Sequence, residues 1–284
     1  MSAERGVLYR KWLDRMMLGM TTLCALIAIA VLLLILGYIA IRGASVLNWN
    51  LLTQLPKPIG ETGGGIGNAI AGTLILIGLA CLVGLPVGIF SGIYLAEFGH
   101  GRFGSTLRFL TDVLTGVPSI VIGIFAYTLL VLPMRRFSAL AGGFALGVIM
   151  IPVVTRTTEE MMKLVPSTLR EAALALGAPE WRAILGVVVR SAGTGIATGV
   201  MLAIARIAGE TAPLLFTALG SRFWPRAIDE PAPALTLQIF NYATGPYEEW
   251  HRLAWAGTFV LVALILIINI SVRWLTRNPY RTGH

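Results

Sequence analysis

The chain has 284 residues, of which 56% are hydrophobic and only 13% charged, with a mean hydropathy of +0.79. That composition excludes an ordinary soluble domain and identifies an integral membrane protein. The net charge of +8 does not point to nucleic acid, because the 22 basic residues, nearly all arginine, are spread between apolar spans as the positive-inside rule predicts.

Six stretches meet or approach the ~20 apolar residues needed to cross the hydrocarbon core: 18–41, 66–95, 107–132, 139–154, 184–219 and 253–275. Residues 1–17 form a basic amino-terminal segment. The first span ends in Ile41 and Arg42 without a small-residue cleavage site, so it reads as a retained anchor and not a signal peptide. It should be peripheral, since its only polar residues are threonines and Tyr38. Cys24 and Cys81 lie within spans, where a thiol behaves as a small hydrophobe and suggests neither a disulfide nor a metal site. With residues 1–17 inside the cell, the inner segments carry fourteen basic residues against seven outside, which places both termini and the tail 276–284 in the cytoplasm. Arg135 and Arg136, in a short outer turn, run against the rule.

Glycines recur every fourth residue at Gly84, Gly88 and Gly92, at Gly143 and Gly147, and at Gly195 and Gly199. Such spacing lets helices approach closely and predicts internal packing of a compact bundle. Pro86, Pro118 and Pro213 are each expected to kink a span.

Between the fourth and fifth spans, residues 155–183 form a charged cytoplasmic loop. Thr168 and Glu171 stand at capping-box spacing, which predicts a helix starting near Leu169. Leu169, Ala172, Ala173 and Leu176 would then share one narrow apolar face. Gly177 is placed to end that helix in a left-handed conformation, and Pro179 to begin the next. A shallow alanine face of this kind suits a partner's groove; the alternative is a helix resting on the bilayer, which would normally carry larger anchors.

The fifth span contains Arg206 and Glu210. Ionised groups at membrane depth are costly and usually face a bundle interior or an aqueous path. Four residues apart on one helix, the two could pair, either as a fixed structural bridge or as part of an anion path in which the guanidinium fork binds an oxyanion. Thr211 and Thr217 add hydroxyls nearby. The outer segment 220–252 is rich in aromatics, as expected at an interface, and carries Asp229, Glu230, Glu248 and Glu249, which suit protein docking better than anion attraction. The three lysines, Lys11, Lys57 and Lys163, lie in no Gly-x-x-x-x-Gly-Lys-[Ser/Thr] sequence, and the histidines are too scattered for a metal or hydrolytic centre. The chain is therefore expected to be neither an enzyme nor a metalloprotein.

Glu171-Ala172-Ala173 with Gly177 four residues on resembles the EAA loop of ABC-importer permeases, the coupling helix that seats in the ATP-binding subunit. Three further segments, 93–98, 116–121 and especially 205–217, resemble the permease subunits of phosphate importers, and the similarity runs from about residue 64 to residue 273. The resemblance implies an all-α, six-span type I importer bundle whose core covers 66–275, in a bacterial inner membrane. It implies pairing with a second permease, two ATP-binding subunits that hold the ATP and magnesium, and a periplasmic or lipid-anchored phosphate-binding protein. On this basis Arg206, Glu210 and Thr211 would line the substrate path, while Arg170, Glu171, Ala172, Ala173, Leu176 and Gly177 would couple to the ATPase. A permease for sulfate or molybdate, or an ion-coupled secondary transporter working alone, are the alternatives; the second would be expected to show inverted repeats.

Overall fold

The computed structural model describes residues 2–58, 61 and 63–275, all in helices and their connections. The helices are α1 (Ser2–Ala44), α2 (Trp49–Thr53), α3 (Gly67–Glu97), α4 (Arg102–Gly116), α5 (Ser119–Met134), α6 (Ala139–Lys163), α7 (Ser167–Ala175), α8 (Glu180–Ala208), α9 (Ala212–Thr217), α10 (Leu235–Thr244) and α11 (Glu248–Leu275). Five of them are long and apolar enough to cross a membrane, and a sixth crossing results if α4 and α5 count as one broken span. The expected tail at 276–284 lies outside the described residues.

The predicted third span, 107–132, is not one helix. α4 and α5 meet at 101° across Val117 and Pro118. Proline at 118 removes an N–H and disfavours helical geometry in the residue before it, and Val117 is accordingly extended at φ −70°, ψ 128°. The predicted fifth span breaks too: α8 ends at Ala208 with Gly209 as its cap, and α9 follows as a separate short helix. A continuous helix would drive the Pro213 ring into the carbonyl of residue 209. Pro86 and Pro152, by contrast, sit inside α3 and α6 without ending them. α6 runs nine residues further than the predicted fourth span, through Lys163, so the loop expected at 155–183 is shorter than predicted.

α1 lies apart, its apolar window wholly unburied, packed along α11 where Tyr38 meets the edge of Trp255 at 5.0 Å. The core forms where α3 crosses α6, around Leu76, Ala80, Leu146, Met150 and Val154. The periodic glycines make this contact. A Cβ at Gly88 would lie 2.7 Å from Val154 Cβ, and one at Gly92 would lie 2.5 Å from Thr158 Cβ. Gly195 and Gly199 of α8 press in the same way on Met161 and Thr157 of α6. Gly88→Val should therefore cost about 1–3 kcal/mol by overpacking and lower the detergent unfolding temperature. Gly78→Val, on the open face of the same helix with nothing within 4 Å, should leave that temperature unchanged.

At the end of the bundle where α3 begins, Asn68 Nδ2 donates to the carbonyls of Ser221 and Phe223, and Thr73 Oγ1 accepts from the Leu235 N–H at 2.8 Å. These bonds tie the 220–234 segment to α3. Arg136 pairs with Asp229, which gives a local reason for one of the two arginines in that turn. Glu248 and Glu249 occupy the first turn of α11, where carboxylates are favoured by the helix dipole.

Candidate functional site: an arginine cleft and a coupling helix

Arg206 projects from the last turn of α8 and is exposed on the chain's surface, within a helix that is long and apolar enough to cross a membrane. It shares a small cleft with Leu114 and Thr115 of α4, Val117 of the break, Ser119 and Ile122 of α5, and Ile149 and Pro152 of α6. No carboxylate lines this cleft. Opposite Arg206 stands the amino terminus of α5, whose N-cap is Pro118 and which has no side-chain capping bond. An uncapped helix start carries partial positive charge. Two electropositive groups thus face one opening, an arrangement that repels itself when empty and favours an anion between them.

The expected Arg206–Glu210 pair does not form. Glu210 lies beyond the end of α8, its carbonyl accepting from Thr236 Oγ1 at 3.0 Å, and among the described residues Arg206 joins no ion pair. The i, i+4 relation assumed an unbroken helix, and Gly209 followed by Pro213 ends it. That Gly-to-Pro spacing is a helix-stop signal legible in the sequence. Thr211 is the N-cap of α9, and Thr217 bonds back to Pro213 within that helix.

At the opposite end from α10, helix α7 has no buried residue. Its expected capping box is absent: Pro166 is the N-cap and Thr168 is already inside the helix, so Glu171 has no capping role. Glu171, Ala172, Leu176 and Gly177 are exposed, with Leu176 at 88%, while Ala173 is half-buried. Gly177 adopts φ +81°, as the spacing predicts, and the Ala178 N–H closes the turn onto the Ala173 carbonyl at 3.2 Å. Pro179 caps the following helix.

Arg170 turns the other way. Its Nη2 donates to Glu97 Oε1 at 2.5 Å, and the side chain of Glu97, the last residue of α3, is only 7% exposed. Beside this bridge, Arg108 of α4 donates from Nε to Glu159 Oε1 at 2.7 Å and from its two terminal nitrogens to the Gly99 and Leu95 carbonyls, each at 2.8 Å. Lys163 Nζ reaches the same Glu159 oxygen at 2.5 Å. Sequence reasoning assigned none of these partners. Lys163 and Glu159 stand four residues apart on α6, while the other pairs join residues of separate helices, which spacing along the chain does not reveal.

Residues 84–279 match the family model described as "Binding-protein-dependent transport system inner membrane component". The phosphate transport system permease protein PstA of Yersinia pestis is 44% identical over 273 residues, covering 96% of this chain and 92% of the relative. The protein of the same name in Haemophilus influenzae is 43% identical over 266 residues, covering 93% and 94%. Among solved structures, an inward-facing form of the MetNI methionine ABC transporter superposes with a TM-score of 0.58 at 19% identity, covering 75% of this chain and 94% of that one, a likeness of fold. By sequence, the chain belongs to the family of binding-protein-dependent transport system inner membrane components, and it is a multi-pass inner-membrane permease.

Proposed function

We propose that this chain is the permease subunit of an ATP-driven importer of inorganic phosphate, forming the pathway together with a second permease. The observation that carries this reading is Arg206: an exposed guanidinium in a candidate membrane span, with no ion-pair partner among the described residues, sharing with the start of α5 a cleft that no described carboxylate lines. Exposure to lipid would be prohibitive for this group. Its exposed side belongs against the partner permease, where the two chains enclose a polar path. The cleft of the single chain is far too small for phosphate, at ≈ 10 Å³, so the second permease supplies the remaining walls. A guanidinium fork suits a tetrahedral oxyanion because two parallel N–H groups match two of its oxygens. The near relatives named as phosphate permeases support phosphate as that anion.

The bundle crosses the membrane six times with both termini in the cytoplasm, α4 and α5 making the broken third crossing. α7 then projects into the cytoplasm, and its uncovered face, with Glu171 and the Leu176–Gly177 turn, seats in one of two ATP-binding subunits, which hold the nucleotide and magnesium. A phosphate-binding protein delivers the ion at the opposite end. ATP binding closes the ATPase pair and moves α7; the Arg170–Glu97 bridge carries that movement into α3 and, through the α3–α6 contact, to the wall beside Arg206.

The test is uptake by proteoliposomes containing the reconstituted complex. Labelled phosphate should enter only with ATP inside and binding protein outside, and unlabelled phosphate should compete where sulfate and molybdate do not. Competition by sulfate or molybdate instead would reassign the substrate, and uptake without the ATP-binding subunits would overturn the importer reading.

A further inference from the structure

At the end of the bundle opposite α7, between the 219–222 turn, α10 and the start of α11, lies a cavity of ≈ 460 Å³. Lys57 and Arg222 both line it, together with the side-chain donors Ser221, Gln238, Asn241 and Tyr242, and among the described residues no carboxylate does. Tyr242 is 5% exposed, and burial pushes its phenol above the ordinary tyrosine range, partly offset by Gln238 and the Arg222 charge. The start of α10 closes one wall through Pro233, Ala234 and Leu237, and its first N–H, that of Leu235, is held by Thr73 Oγ1 of α3.

The walls are held in shape. Leu219 and Gly220 are both left-handed, at φ 58° and φ 84°, and Leu219 bridges to Ala232. A left-handed leucine is strained, and the turn is kept there by the Asn68 bonds to the Ser221 and Phe223 carbonyls. Gly72 abuts Pro233 so closely that a Cβ would fall 2.0 Å from its carbonyl oxygen, which fixes the α10 entry against α3.

The geometry points to an oxyanion-binding site in this cavity, distinct from the Arg206 cleft, where the anion pauses after leaving the binding protein and before it descends between the permeases. This inference rests on the import reading for its direction. The chemistry requires only a small oxyanion: the Arg222 guanidinium sets its sign, and hydroxyl and amide donors spaced around the hollow satisfy its oxygens.

Trp250 also lines the cavity and serves as the reporter. The complete permease–ATPase complex, in nanodiscs and without binding protein, is titrated with inorganic phosphate while tryptophan emission is followed, with Trp250→Phe as the blank. A saturable change that disappears in the blank, weakens about tenfold in Arg222→Gln, recovers in Arg222→Lys and persists in Arg206→Gln would establish the site. A response indifferent to Arg222→Gln, or lost in Arg206→Gln alone, would place the ion only at the α5 cleft and overturn this inference while leaving the phosphate reading intact. If sulfate or molybdate titrates and phosphate does not, the cavity stands and the choice of phosphate falls. If no anion titrates, but Arg222→Gln weakens binding-protein docking, the cavity receives that protein and not the ion.

Discussion

Arg206→Gln should reduce phosphate uptake at limiting substrate by about 100-fold, equivalent to about 3 kcal/mol for two charge-assisted hydrogen bonds lost together. Binding-protein-stimulated ATP hydrolysis by the reconstituted complex should survive. Glutamine preserves much of the side chain's length and polarity, so the chain should reach the membrane and assemble normally. Arg206→Lys tests the fork separately from the charge: an ammonium keeps the positive potential opposite α5 but cannot present two parallel donors, and uptake should fall between the two. Because the guanidinium forms no ion pair within the described chain, its removal strands no buried carboxylate there. A mutant that fails to assemble, or that loses transport and hydrolysis together, would show that Arg206 holds the two permeases in register and does not meet the ion. Glu210→Gln should have a much smaller effect on uptake, since Glu210 lies outside α8 and Arg206 does not depend on it.

The second large effect is expected at the Arg170–Glu97 bridge. α7 buries no residue, and among the described residues this is the ion pair that joins it to the transmembrane core. Arg170→Glu places two carboxylates together where one is almost buried, and α7 should lose its fixed attachment to α3. The expected result is uncoupling: ATP hydrolysis continues, while the ATP consumed per phosphate imported rises about tenfold, within the usual range for coupling between sites. Glu97→Arg alone should behave similarly. The double exchange, Arg170→Glu with Glu97→Arg, should restore most of the stoichiometry, a recovery that a general loss of folding would not permit. Unchanged stoichiometry in the single variants would show that movement reaches the spans by another contact, such as that of α7 with the first turns of α8.

Proline illustrates where the sequence is legible and where it is not. Four prolines lie within apolar stretches, at 86, 118, 152 and 213. Two end their helices and two do not. Each removes one N–H, but whether the freed carbonyl and the local bend are tolerated depends on neighbouring helices. Pro152 is buried among helices that hold α6 together, whereas at Pro118 the chain turns so that α4 can anchor Arg108 on Glu159 and α5 can rise separately. The pairing of Arg206 with Glu210 was a reasonable expectation from spacing, and it failed for the same cause, a helix that stops between them.

Composition and periodicity by themselves determined that this chain is a helical membrane protein, which stretches are apolar enough to span, which glycines pack, and where the chain turns after α7 at Gly177. Those properties follow from transfer free energies and local backbone preferences, which act along the chain. Tertiary structure alone decided that Arg206 shares a cleft with the start of α5, that Arg170 points inward to Glu97, and that Lys57 and Arg222 share one cavity. These facts depend on residues 73 to 165 positions apart being brought together, and on helix breaks set by the balance between a lost backbone bond and the packing that replaces it.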